Sequence, residues 1–144
     1  MNLCHPTQDK GDRGAAFVIA ALTAQGVKIA LPLSEHLPFD LIAISPEGKL
    51  AKVSVKYRSA RKGVLEVALK SKWDARRGTK SKRWERGAVD GHAIYCPETD
   101  TCYFVADKTL TAATITLRLK DPGRKAANIR LAKDYLDPMV MFDA

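Results

Sequence analysis

With 144 residues, 46% of them hydrophobic, the chain suits one compact domain over residues 1–144. Three cysteines (Cys4, Cys96, Cys102), an odd number with no signal-like leader before them, point to a reducing cytoplasm, and no apolar run is long enough to cross a bilayer. The net charge of +8 is unevenly placed: Lys49 to Arg86 holds fourteen Lys and Arg against three acids (Glu66, Asp74, Glu85), a balance of +11, so the rest of the chain sums to −3. Such a patch favours a polyanionic partner, because each phosphate neutralised releases condensed counterions. No basic amphipathic helix stands out in it, which argues against a membrane surface.

Residues 1–9 carry no pattern and read as a loose lead-in. Asp12 is a fair N-cap for a helix from Arg13 to Gln25, with Gly26 placed for a left-handed cap. That helix is apolar on nearly every side and should be buried against a sheet; Gly14 costs helix propensity and would permit a close approach by another backbone. Val27 to Leu31 reads as a short strand, and a loop through Glu35 and His36 follows.

Two apolar runs, Phe39 to Ser45 and Leu50 to Tyr57, flank the turn-forming Pro46-Glu47-Gly48 and predict a β-hairpin. Side chains alternate along a strand, so Lys52, Ser54, Lys56 and Arg58 share one face while Val53, Val55 and Tyr57 share the other. Asp40 leads an otherwise apolar face carrying Ile42 and Ile44. A carboxylate there, beside a strand that brings a lysine near it, is either a metal-and-lysine hydrolytic centre or a salt bridge.

Gly63 to Leu69 is a further strand, expected to extend the hairpin into an antiparallel meander. From Lys70 to Gly87 periodicity is lost among Lys, Arg, Trp73 and Trp84, which reads as a long basic loop or arm. Its tryptophans either anchor it to the body or stack on bases. His92–Cys96 and Thr101–Ala106 form a hairpin about Pro97–Asp100, with Cys96 and Cys102 facing across it; two thiols without a histidine at ligand spacing argue against zinc. Thr114–Leu119 alternates strictly as a strand and Asp121–Arg124 is its turn. Asn128–Leu136 suits a short last helix, and 137–144 is a tail. The layout is α+β, with a mixed or antiparallel sheet on a buried N-terminal helix.

Nucleophile elbows, phosphate-cradling glycine loops and H-E-x-x-H are all missing from the sequence. His5, His36 and His92 are scattered and read as surface or packed residues rather than bases. Carboxylates and lysines remain. Phosphodiester hydrolysis needs a metal that lowers the pKa of an attacking water, and a hard oxygen ligand such as Asp40 suits magnesium. A nearby lysine can orient the water or stabilise transition-state charge.

The order Lys10-Gly-Asp-Arg13, a buried helix, His36-Leu-Pro-Phe-Asp-Leu-Ile42 and Val53-Ser-Val-Lys-Tyr57 resembles the PD-(D/E)XK (restriction endonuclease-like) nuclease core, specifically the small group I intron-associated homing endonucleases. The likeness extends through Ala93-Ile-Tyr-Cys-Pro97 and Ile115-Thr-Leu-Arg118. It implies site-specific cleavage of double-stranded DNA with Mg2+ or Mn2+, by a homodimer or homotetramer of bacterial or phage origin. Carried over position by position, Asp40 is the metal-binding aspartate, the backbone carbonyl of Val55 a second metal ligand and Lys56 the lysine.

Two positions depart from the pattern. Ser54, a candidate catalytic residue beside Asp40 and Lys56, stands at the acidic or glutamine position and supplies a hydroxyl but no carboxylate, and Ala15 stands where the first helix often contributes a glutamate. Asp12, three positions before Ala15, is the candidate displaced metal ligand; Glu35 would fall on the opposite face from Asp40. Candidate DNA contacts are Arg58, Lys70, Lys72, Arg76, Arg77, Lys80, Lys82, Arg83 and Arg86, with Arg58, Arg76, Arg77 and Arg83 candidates to read guanine in the major groove. Ser54 and Ala15 keep open a non-catalytic nucleic-acid-binding module on the same fold. A four-way-junction (Holliday-junction) resolvase would use similar chemistry, while a basic structural protein has only charge in its favour.

Overall fold

The computed structural model describes residues 1–69, 71–75, 78–82, 85–124, 126 and 129–143; for 71–75 and 78–82 the description is of the backbone. Helix α1 runs Pro6–Ala24, starting well before the expected Arg13. Pro6 sits in its first turn, where a missing N–H costs nothing, and His5 rather than Asp12 is the N-cap. Residues 6–9 of the expected lead-in are thus helical. Gly26 takes the left-handed conformation beyond the C-terminus, as expected (φ 81°). Burial is one-sided: Gly14, Val18 and Leu22, spaced i, i+4, i+8, are buried, whereas Phe17 is exposed. The small alanines around the helix made it look apolar on every side without requiring a partner there.

Strands β1 (Lys28–Ala30), β2 (Leu41–Ile44), β3 (Leu50–Tyr57), β7 (Gly91–Cys96) and β8 (Thr101–Ala106) form a five-stranded sheet in the order β1-β2-β3-β7-β8. All its pairings are antiparallel except β3 with β7, so the sheet is mixed. The β2–β3 turn closes as the sequence predicts: Ser45 N–H donates to the Lys49 carbonyl (2.8 Å), Gly48 N–H to the Ser45 carbonyl (2.9 Å) and Lys49 N–H to Ser45 Oγ (3.0 Å).

On one face, Val18 and Leu22 of α1 pack against Leu41, Ala43, Ala51, Val53, Ala93 and Phe104. Burying each of those two helix side chains contributes about 1.5–3 kcal/mol. Gly14 makes the close approach expected of it: a Cβ there would stand 3.1 Å from Cβ of Tyr57. Phe17 stacks on Tyr95 (centroids 4.2 Å apart, planes at 7°), and the Arg13 guanidinium lies 5.6 Å from the centre of the Tyr57 ring.

The opposite face is covered by a second layer. Strand β4 (Val64–Ala68) does not extend the hairpin into a meander; it pairs antiparallel with β9 (Thr114–Arg118). This separate ribbon sets Leu65, Val67, Ile115 and Leu117 against Ile94, Cys96, Tyr103 and Val105. Both faces of β7 and β8 are therefore buried, which explains their near-continuous apolar runs. It also separates the two thiols expected to face each other. Cys96 joins the core under the ribbon and Cys102 the core under α1, on opposite sides of the sheet.

The basic arm has regular backbone. Its strands β5 (Ser71–Ala75) and β6 (Gly78–Lys82) form an antiparallel hairpin on their own. The segments SKWDA and GTKSK show no apolar alternation, so periodicity gave no signal. The expected helix over Asn128–Leu136 is only a short 3-10 turn, Ala132–Asp134, with Asn128 outside the described residues. The expected tail is a second one, Pro138–Phe142, with its start capped by Asp137, whose Oδ1 accepts from Met139 N–H (3.0 Å). Met141 and Phe142 are buried in the α1-side core. Among the described residues no helix is long and apolar enough to cross a membrane.

Candidate active site

Strand β2 ends its ladder at Leu41, opposite Val53, while β3 runs on to Tyr57. Asp40 stands where the ladder stops. Its N–H donates to the Val53 carbonyl (2.9 Å) and its Oδ2 accepts from Val55 N–H (2.7 Å), so the carboxylate substitutes for the strand carbonyl that would otherwise bind there. The N–H and C=O of a strand residue leave on the same side. The Val55 carbonyl therefore points along the edge that Asp40 occupies, beyond the end of β2. Oδ1 of Asp40 has no hydrogen bond to a described residue. A carboxylate oxygen and a strand carbonyl thus emerge side by side.

Ser54 is buried and Lys56 half-buried, both on the sheet face opposite α1. Burial and the Arg58 guanidinium hold the Lys56 ammonium below the usual lysine range, opposed by the attraction of Asp40. Asp40 and Lys56 thus interact through space, but no ion pair within 4 Å joins them. The simple salt-bridge alternative is not what the geometry gives. Burial also lowers the pKa of Arg58, whose Nη1 donates to the Tyr57 carbonyl (2.8 Å).

The other candidate residues are spread more widely. Asp12 is exposed on α1, with no hydrogen bond or ion pair to Asp40 or Val55; Ala15 is half-buried, and Glu35 exposed. Among the described residues no three His, Cys, Asp or Glu converge on a common point. The backbone of Lys72, Lys80 and Lys82 lies on the β5–β6 hairpin, whereas Lys70, Arg76, Arg77 and Arg83 are outside the described residues, as is Trp84. Arg86 anchors the root of the arm, its Nη2 donating to the carbonyls of Leu110 (2.6 Å) and Lys108 (3.3 Å).

Sequence reasoning passed over one pair. His92 stands directly across from Ser54 in the parallel β3–β7 register and is fully buried; its Nε2 is 2.8 Å from Oδ1 of buried Asp107. Burial holds the His92 pKa below 6.5, helped by Lys56 and opposed by Asp107. The available signal was a polar residue opening the apolar run His92–Cys96, and an aspartate just past the end of the next one.

A mixed sheet with a helix on one face, and an aspartate and a lysine carried by one hairpin at its centre, is the plan of a PD-(D/E)XK nuclease. The family model for the PD-(D/E)XK endonucleases matches residues 5–138, and the chain belongs to that family. Membership makes it a nuclease-type hydrolase with DNA as the implied substrate. In three dimensions it is similar to a bacterial homing endonuclease, I-Ssp6803I, with a TM-score of 0.69 and 21% identity over 91% of this chain and 88% of that one. No curated protein sequence matches the chain.

Proposed function

We propose that the protein is a site-specific endonuclease of double-stranded DNA, of the intron-homing kind, acting with Mg2+ or Mn2+ as a homodimer or homotetramer. The observation that carries this reading is the position of the Asp40 carboxylate against Val55, at the end of β2 and within the electrostatic reach of Lys56. Oδ1 of Asp40 and the Val55 carbonyl are hard oxygen donors. Mg2+ retains several waters and takes only one or two carboxylates beside substrate phosphates, so this sparse set fits it. Bound there, the ion would lower the pKa of a water and screen charge on the scissile phosphate.

The chain's own residues do the rest. Lys56, partly desolvated, places its ammonium where negative charge develops on the phosphoryl oxygens. Arg58 and the Lys- and Arg-rich arm hold the duplex through phosphates, with arginines such as Arg76, Arg77 and Arg83 available for guanine edges. Charge outside that window is net negative, so the duplex is drawn to one side.

Incubation of plasmids and a duplex library with Mg2+ tests the assignment. Lys56→Ala should lower the cleavage rate by about 10²–10³-fold, the scale of removing one transition-state donor. Asp40→Asn should abolish cleavage while changing stability by less than about 1.5 kcal/mol, because the amide oxygen still accepts from Val55. Cleavage that survives both substitutions overturns the site. A second reading, a DNA-binding module without hydrolysis, is favoured by Ser54 and Ala15 at the two departing positions and by the absence, among the described residues, of any group of three His, Cys, Asp or Glu that could hold a metal. Salt-sensitive binding with no cutting would identify it, and preferential cutting of synthetic four-way junctions would identify a resolvase.

A further inference from the structure

The serine at the motif's acidic position has a neighbour that changes its chemistry. Ser54 and His92 are paired residues of adjacent parallel strands, so their side chains leave the same sheet face about 5 Å apart at Cβ. Both are buried. Asp107, at the end of β8, accepts on both carboxylate oxygens, Oδ1 from His92 Nε2 (2.8 Å) and Oδ2 from Gly87 N–H (2.9 Å). A carboxylate that accepts from the ring requires the proton on Nε2, which leaves Nδ1 of the neutral imidazole as a bare acceptor. That Nδ1 is buried and is the one buried side-chain polar atom among the described residues without a partner. An unmade buried acceptor is costly, and the nearest paired position carries a hydroxyl that turns on one torsion.

We propose that His92, oriented by Asp107, is the acceptor for the Ser54 hydroxyl and fixes its oxygen as an acceptor turned toward the Asp40–Val55 edge. With its proton committed to Nδ1, Ser54 Oγ presents lone pairs to a water or to the Lys56 ammonium. In that role it takes over part of what a carboxylate would do. His92 and Asp107 are positioning residues that act through Ser54. The pair also ties that serine to the root of the arm, because Asp107 holds Gly87 and the neighbouring Arg86 holds the Lys108 and Leu110 carbonyls.

The hydrogen bond can be tested without DNA or metal. Multiple-bond ¹⁵N–¹H spectra of the whole protein, above the histidine titration range, should show His92 as the Nε2–H tautomer. In Ser54→Ala the Nδ1 resonance should move downfield while Nε2 stays. An unmoved Nδ1 resonance, or a proton on Nδ1, overturns the pair. The consequence for cleavage rests on the nuclease reading above and is read separately, in plasmid cleavage with Mg2+. Ser54→Ala and His92→Gln should each slow cleavage about 10- to 100-fold, and the double variant no more than the stronger single. Multiplying effects overturn the relay, and thermal melts separate loss of fold from loss of rate. A wild-type protein that binds but never cuts retires the nuclease reading, and the Ser54→Ala spectrum still decides the pair.

Discussion

Asp40, Val55 and Lys56 were legible because one hairpin carries all three, and its turn, Ser45 to Lys49, is written in Pro46 and Gly48. Local chemistry singled out Asp40 and Lys56, whereas the Val55 carbonyl entered only through the family resemblance. His92 and Asp107 were passed over as a pair: they lie 15 residues apart and meet at the open end of the predicted hairpin, where Asp107 stands just beyond the last apolar residue of its strand. The pair makes a prediction of its own. The pKa of His92 is lowered by the fold, so below 6.5 the unfolded chain binds a proton that the folded one refuses. Its contribution to stability is complete above that value and is lost as the pH falls through the lower folded one. Urea midpoints measured between about pH 5 and 8 should therefore fall on the acid side. His92→Gln should flatten that limb; an unchanged slope would mean that His92 does not carry it.

At the level of elements, strict alternation found β9, and turn chemistry found β2–β3 and β7–β8. What failed was partnership. Nothing in β4 announces that it pairs with β9 rather than β3, because its apolar face fits either neighbour. The last residues failed for another reason: Met139, Val140, Met141 and Phe142 are too short a run to show a period, yet they finish the core. Gly91 shows how tightly they do so, since a Cβ there would drive into Met141 Cγ and stand 2.5 Å from its Sδ and 2.8 Å from its Cβ. The clash reaches Met141 Cβ, which no rotation of that side chain removes. Gly91→Ala should therefore cost about 1–3 kcal/mol by overpacking, and Met141→Ala about 2–5 kcal/mol through the cavity it leaves. Combined, they should cost clearly less than the two added together, because the new methyl enters the vacated space. Chemical denaturation of the four proteins checks this, and simple additivity would show that residue 91 does not touch the C-terminal turn.

Taken whole, the molecule concentrates its positive charge in a stretch that begins at β3 and runs through the β5–β6 hairpin, and the rest of the chain is net negative. The sequence revealed this asymmetry directly, though the hairpin form of the arm stayed hidden. Replacing residues 70–84 with a short turn should leave the β4–β9 ribbon paired and weaken DNA binding. The plot of log affinity against log salt should become shallower by about 0.9 for each phosphate that the arm no longer neutralises. An unchanged slope would place the DNA elsewhere on the surface.

The parallel joint between β3 and β7 has a consequence for how the chain folds. The bond from Lys52 N–H to Asp90 Oδ2 spans 38 positions, and every β3–β7 pairing closes a loop of that size, whereas β2–β3 closes across a tight turn. Closing a longer loop costs more entropy, by about 0.6 kcal/mol per doubling, and non-local pairing slows folding. Asp40 and Lys56 can therefore come together early, on a hairpin that closes locally. His92 reaches Ser54 only in the later, slower step that completes the sheet.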